Sequence, residues 1–347
     1  MALDSASERL EEQAPSDLRA LLGQIGKTPV SGIQLHIASR AIDVWLKLEG
    51  SNPAGSSKDR TALSLINDLE RRGVLDEQSI VVESTSGNLG VALAFITRAK
   101  GYRFTAVVDP KAPAEVVARM VRLGAEIELV DTPDITGGFL LTRLARVRQL
   151  CESSKRYVWP DQYSNIENPE IHYRTTAPEI WQQMGEDVDA VFVAVSTGGT
   201  LAGVSRFFRH VAPSTRIIGV DAVGSVVFGG APGPRKLNGI GSSRVSAFLA
   251  PTDYDAHLMV SDEDAFAMCR LLRDRCGLSV GGSSGAVIAA CARYVSRNPG
   301  IRRPLCICAD GGANYLSSIF SDAWIEAHGI ALPKSPAGVE DVTQRTD

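Results

Sequence analysis

Four short turns rich in Gly, Ser, Thr and Asn hold the residues whose types and spacing could do chemistry: Ser51–Arg60, Ser84–Asn88, Ser196–Thr200 and Gly281–Gly285. Each follows an extended segment and leads into a helical pattern. Singly, each reads as a helix cap, because these residue types are favoured there. Four of them, one with a lysine at its helix start, call for a shared ligand. Lys58 is that lysine. A surface lysine is at home in a helix's last turn, but at the first turn the positive dipole end disfavours its ammonium form. A neutral lysine is what Schiff-base chemistry needs; on its own residues, Lys58 stays open between that role and an ordinary lysine. In Thr197-Gly198-Gly199-Thr200 two glycines let the backbone approach an anion closely, and the following helix aims its unsatisfied N–H groups at it. The chain has no G-x-x-x-x-G-K-[ST] and no G-x-G-x-x-G after its first strand, which points away from ATP and dinucleotides and toward a single phosphate.

The elements that must position these turns alternate between strand and helix. Ile42–Leu48 reads as a strand and Asp59–Arg72 as a helix with Ala62, Leu65, Ile66 and Leu69 on one face. Strands Ile80–Val82, Phe104–Val108 and Ile127–Val130 alternate with helices Leu89–Ala99, Pro113–Leu123 and Phe139–Cys151. The grammar repeats with helix Pro169–Met184, strand Val191–Val195, helix Leu201–His210 and strand Ile217–Val220. After a Gly/Ser/Pro-rich loop, Asp221–Ala247, come strand Leu258–Val260, helices Asp262–Arg275 and Gly285–Val295, and strand Leu305–Ala309. The expected fold class is α/β: two domains with mostly parallel sheets flanked by helices, binding ligands beyond the carboxyl ends of strands. The polar tail 331–347 is expected to be disordered.

The composition narrows the function classes. The chain has 347 residues, 44% of them apolar and 22% charged, with a formal charge of −4, enough for two domains and without the basic excess of a nucleic-acid binder. The acidic start, Met1–Asp17, has no apolar core and no run reaches the length of a membrane span, so a soluble cytoplasmic protein is expected, without membrane or nucleic-acid partners. Cys306-x-Cys308 lies in a buried-strand pattern without a second ligand pair, and the five histidines lack ligand spacing; no metal site is expected.

The four turns, in this order from about Leu21 to Ile330, resemble the fold type II family of pyridoxal 5′-phosphate (PLP) enzymes, the tryptophan synthase β-like group of cysteine synthases and cystathionine β-synthase cores. The resemblance implies an N-terminal extension (1–20), a larger PLP-binding domain (21–54 and 166–330) and a smaller mobile substrate domain (55–165). It implies that Lys58 carries PLP as a Schiff base and moves the substrate's α-proton. Asn88 would bond the cofactor's phenolic oxygen, and Thr197, Gly198, Gly199 and Thr200 would cradle its phosphate. Ser283 would face the pyridine nitrogen, where a neutral hydroxyl keeps the ring a weaker electron sink, as suits β-elimination. Thr85, Ser86 and Gln162 would bind the substrate carboxylate. Relatives are commonly homodimers, so a homodimer is expected.

Four stretches, Glu83–Gly90, Val107–Lys111, Asp221–Gly229 and Gly239–Val245, resemble the branch that joins O-phospho-L-serine to L-glutamate and releases phosphate, on the way to the 2,3-diaminopropionate of siderophores and antibiotics. Where ordinary cysteine synthases have Phe, Gly and Thr, this chain has Tyr163, Ser196 and Leu89. The two added hydroxyls suit a phosphate leaving group, and Arg143 and Arg244 suit its charge; a solvated helix face competes for Arg143. Asn314 stands where relatives generally carry Arg. A cysteine or S-sulfocysteine synthase using O-phosphoserine or O-acetylserine shares the first half-reaction and stays open. A dehydratase and a catalytically silent PLP-binding protein are less well matched by these motifs.

Overall fold

A computed structural model describes Leu10, residues 13–134 and residues 137–345. The chain divides into two compact units, one of Lys27–Ser51 and His172 onward, the other of the described residues up to Gly26 and Asn52–Ile171. Strands β1 (Val30–Ile37) and β2 (Arg40–Leu48) pair antiparallel. Their two-residue turn is Ala38-Ser39, both at positive φ (48° and 64°), the twist a tight hairpin demands.

In the smaller unit β3 (Ile80–Ser84), β4 (Arg103–Val108), β5 (Glu126–Leu129) and β6 (Tyr157–Val158) form a parallel sheet in the order β5-β4-β3-β6. Alternation of side chains sends Val81 and Ala106 to one face, packed with helices Lys58–Arg71, Asn88–Lys100 and Ala114–Arg122. Val82 and Val107 point to the other, against Val147 and Leu150 of helix Leu140–Ser153. Strands β3, β4 and β5 progress in one direction and β6 returns to the far side of β3. The sheet's switch point therefore lies between the carboxyl ends of β3 and β6, where open α/β sheets bind ligands.

In the larger unit β7 (Ala190–Ala194), β8 (Arg216–Ala222), β9 (Ala256–Val260), β10 (Pro304–Cys308) and β11 (Val339–Gln344) join the hairpin in the order β11-β1-β2-β10-β7-β8-β9. β2 to β9 run parallel. Phe192, Cys306 and Cys308 face the core beneath helices Asp262–Cys276 and Gly282–Arg297, while Val191, Val193 and Leu305 face helices Ala177–Gln183 and Gly199–Val211. Cys306 and Cys308 are therefore core residues, and burial pushes the Cys308 thiol up to about 12. This sheet switches direction between β7 and β10.

Three features differ from the sequence expectations. The tail expected to be disordered supplies β11, which pairs antiparallel with β1 and buries Val339 and Val342 completely or nearly so; two well-placed valines on a short polar strand suffice once an edge is available. The helix expected over Pro169–Met184 is helix Glu167–Ile171, a π-helical turn at His172–Thr176 and helix Ala177–Gln183. Pro178 lacks an N–H and crowds the carbonyl four residues back, and a widened turn relieves that clash. Finally, helix Gly282–Arg297 starts three residues earlier than expected, so Ser283 lies in its first turn. The described residues up to Gly26, including helix Pro15–Leu22 with its fully buried Leu18, cluster with the smaller unit.

Candidate active site

In the smaller unit the candidate residues sit at helix starts and strand ends. Lys58 is the first residue of its helix, preceded by a turn in which Gly55 has φ of 90°. The buried Asp59 carboxylate closes that turn, accepting from the Ala54 N–H at 2.6 Å, and the Lys58 N–H donates to Ser56 Oγ at 3.2 Å. The backbone at Lys58 is thus fixed from both sides. Asn88 likewise opens its helix after the extended Gly87.

Thr85, Ser86 and Gln162 gather at the ends of β3 and β6. Gln162 Nε2 donates to the Ser84 carbonyl at 3.1 Å, leaving its other amide hydrogen for a ligand. Ser84 Oγ is buried without a hydrogen-bond partner. Half-buried Tyr163 follows Gln162, its N–H donating to Asp161 Oδ1 at 3.2 Å. Arg143 is no solvated side chain: it is 11% exposed, its Nη1 donates to Ser86 Oγ at 2.9 Å and its Nε lies 3.2 Å from Asp109 Oδ2. Asp109 balances its charge, so the role the geometry shows for Arg143 is to hold Ser86 in place. Arg143→Lys keeps the charge but loses the forked contact; the expected result is a KM for the amino-acid substrate raised about tenfold with the cofactor's absorption unchanged, read by steady-state kinetics.

Glu83 was not singled out in the sequence, although a carboxylate closing an apolar β-run is a signal. It is fully buried, accepting from Trp159 Nε1 (3.0 Å), the Ser84 N–H (2.9 Å) and the Gln162 N–H (3.1 Å). Burial outweighs these three donors and raises its pKa from 4.5 to about 7. The native state thus holds a proton that the unfolded chain has lost, and stability falls as pH rises from about 4.5 to about 7, by up to about 3 kcal/mol. Glu83→Gln should flatten that slope in denaturation measured across this range. Its amide nitrogen would also face an N–H donor, weakening the seat of Gln162.

The larger unit brings its own set to the carboxyl end of β7. Gly198 has φ of 94° and precedes the 13-residue helix Gly199–Val211; Thr197 is buried and Thr200 half-buried. The turn is tied to the loop from Gly239 onward: Ser196 Oγ donates to the Gly241 carbonyl at 3.1 Å and Ser246 Oγ to the Thr197 carbonyl at 2.6 Å. The Ser196 proton is therefore committed, and its oxygen is left as an acceptor rather than the donor expected for a leaving phosphate. Half-buried Arg244 lies on the same loop, its N–H on Ser242 Oγ at 3.2 Å. Ser283 is buried; a Cβ added at Gly239 would lie 3.8 Å from its Oγ. Among the described residues no group of His, Cys, Asp and Glu is arranged to hold a metal, and no helix is long and apolar enough to cross a membrane.

One unit thus carries a lysine at a helix start and the other a glycine turn at a helix N-terminus, and comparison with known proteins specifies the class and its cofactor. Residues 21–307 match the pyridoxal-phosphate dependent enzyme family, and the chain belongs to it. It is similar to the N-(2-amino-2-carboxyethyl)-L-glutamate synthases of Ralstonia nicotianae (42% identity, 88% of this chain and 91% of that one) and Cupriavidus metallidurans (41%, with the same coverage). Among solved structures it resembles a hydrogen sulfide-producing enzyme from Fusobacterium nucleatum, with TM-score 0.80, 32% identity, and 85% of this chain and 99% of that one covered. The protein is a fold type II PLP enzyme. Its residues fit that cofactor: a helix N-terminus flanked by two threonine hydroxyls offers donors to one phosphate, and a turn-borne lysine offers the amine for the aldehyde.

Proposed function

We propose that the protein joins O-phospho-L-serine to L-glutamate, giving N-(2-amino-2-carboxyethyl)-L-glutamate and phosphate, a step toward 2,3-diaminopropionate. The observation that carries this reading is the Asp109–Arg143–Ser86 chain at the end of β3 and β4, which fixes the Ser86 oxygen as an acceptor so that its own proton is left for an anionic substrate, in a chain 42% identical to a synthase of that name. When bound, PLP supplies the electron withdrawal that makes the substrate's α-proton removable.

The chain's own groups do the rest. Lys58 anchors the cofactor and then, as a free amine, takes the Cα proton while the Cβ–O bond to phosphate breaks. The glutamate amine forms the Cβ–N bond, loses a proton, and Lys58 returns a proton to Cα. Thr85, Ser86 and Gln162 hold the serine carboxylate, Tyr163 lines the leaving group, and Arg143 and Arg244 attract anions. Asn88 and Ser283 contact the cofactor ring and Thr197–Thr200 its phosphate. A homodimer in the cytoplasm completes the proposal.

The resemblance to a hydrogen sulfide-producing enzyme makes a sulfur nucleophile the natural comparison. With O-phospho-L-serine fixed and glutamate, sulfide and thiosulfate supplied in parallel, the glutamate adduct should form fastest, with one phosphate released per adduct. Preference for sulfide or thiosulfate, or for O-acetylserine as donor, would replace this reading with a cysteine or S-sulfocysteine synthase.

A further inference from the structure

A cleft opens at the carboxyl ends of β8 and β9, the outer edge of the larger sheet, and none of the residues assigned to cofactor or substrate lines it. Its placement follows from the two strands. Val220 and Ala222 face the core beneath helices Asp262–Cys276 and Gly282–Arg297, so alternation sends Gly219 and Asp221 to the opposite face. The parallel register sets His257 beside Gly219 and Met259 beside Asp221. A Cβ at Gly219 would lie 2.6 Å from Phe228 Cζ, so the glycine makes room for that ring. Phe228 in turn stacks on His257, with centroids 4.7 Å apart and planes at 15°. The turn from Gly224 to Ala231 forms the remaining wall. It is pinned at Gly224, where φ is 85° and the carbonyl accepts from the Gly233 N–H at 3.0 Å and from Arg235 Nη1 at 3.2 Å. The cleft holds about 410 Å³, within the range of about 300–1,000 Å³ usual for small-molecule sites.

Asp221 lines the floor of this cleft and is fully buried. Its Oδ1 accepts from the Ala222 N–H at 2.8 Å, while Oδ2 has no hydrogen-bond partner. The Ser225 hydroxyl beside it accepts from the Val227 and Ser242 N–H groups and has the Ser242 carbonyl, 3.4 Å away, for its own proton. Among the described residues no cationic side chain forms an ion pair with Asp221. Burial raises its pKa, and the Ser225 hydroxyl, the Ala222 N–H, Arg235 and His257 pull it back only in part. A buried carboxyl oxygen without a donor costs free energy, which a ligand bringing both an N–H and a positive charge recovers.

We propose that this cleft is a binding site, separate from the catalytic one, for a small organic cation that combines N–H donors with a flat apolar body. The charged end seats against Asp221 Oδ2 and the body against Phe228 and Met259.

Benzamidine is the probe. Its amidinium keeps its charge at neutral pH, donates N–H groups and does not condense with the cofactor's aldehyde as a primary amine does. Benzamide is its neutral counterpart of nearly the same shape. Calorimetric titration of the PLP-bound protein should show one benzamidine site with Kd below about 1 mM, and benzamide binding at least about tenfold weaker. Asp221→Asn should remove that difference. Ala231→Trp, on the exposed rim, should fill the cleft and abolish binding with the carboxylate in place, and it serves if Asp221→Asn fails to fold. Saturating O-phospho-L-serine should leave the benzamidine affinity unchanged. Equal affinity for the two probes, a difference that persists in Asp221→Asn, or undiminished binding to Ala231→Trp would overturn the proposal. So would competition by O-phospho-L-serine, which would place the probe at the substrate site.

Discussion

Lys58→Ala should abolish turnover by about 10³-fold or more and remove the visible absorption band of the cofactor-bound protein. The magnitude follows from what one amine is asked to do. In the proposed function it anchors the cofactor and moves the proton at Cα, a general acid–base role that alone contributes on the order of 10²–10⁴ in rate. The backbone that carries it is fixed: the turn before it is closed by Asp59, and the Lys58 N–H is held by Ser56 Oγ. PLP should still bind, because the proposed phosphate cradle is unaltered, so the variant should take up cofactor non-covalently with an aldehyde-like spectrum. An activity loss below about tenfold would show that another base moves the proton. The spectra and kcat of the two proteins decide this.

The second large effect is expected at Gly198. Its φ of 94° lies in the left-handed region, which a side chain disfavours by about 1–2 kcal/mol. A Cβ there would also sit 2.1 Å from Ser246 Oγ and 3.0 Å from Leu249 Cγ, and overpacking of that kind costs about 1–3 kcal/mol. Gly198→Ala should therefore destabilise the protein by about 3 kcal/mol and, on the proposed reading of this turn as the phosphate cradle, release PLP, since relief of the clash must displace the turn. Ser246→Ala in the same chain removes the nearer obstacle but not the strain. The double variant should recover part of the stability, so that the two changes together cost less than their sum. Strict additivity in denaturation would mean that the Ser246 contact is not what fixes the turn.

Much of this was legible in the sequence, for identifiable reasons. Helices with strong apolar stripes, such as Lys58–Arg71, and β-branched strands such as β3 emerge from periodicity alone, and the Gly/Ser/Thr turns mark the carboxyl ends where the sites lie. β1 was missed because its hairpin turn is Ala38-Ser39, which takes positive φ without the Asn-Gly signature that announces such a turn. β11 was missed because a strand paired on one edge needs few apolar residues, here Val339 and Val342. At the sites, the residues expected to touch ligands were visible as turn residues, whereas their supports were not. Asp109, Glu83 and Ser246 act on Arg143, Gln162 and Thr197 from other parts of their units, in pairs separated by as many as 79 positions for Glu83 and Gln162. Spacing along the chain carries no trace of such pairs. The same distance explains the revision at Ser196, whose proton is taken by a carbonyl 45 residues away.

The account depends most on the identity of the lysine that holds the cofactor. Reduction of the PLP-bound protein with borohydride, followed by proteolysis and mass mapping, should find the pyridoxyl phosphate group on the peptide containing Lys58 and on no other. Label on a different lysine, or none despite a visible cofactor band, would contradict it.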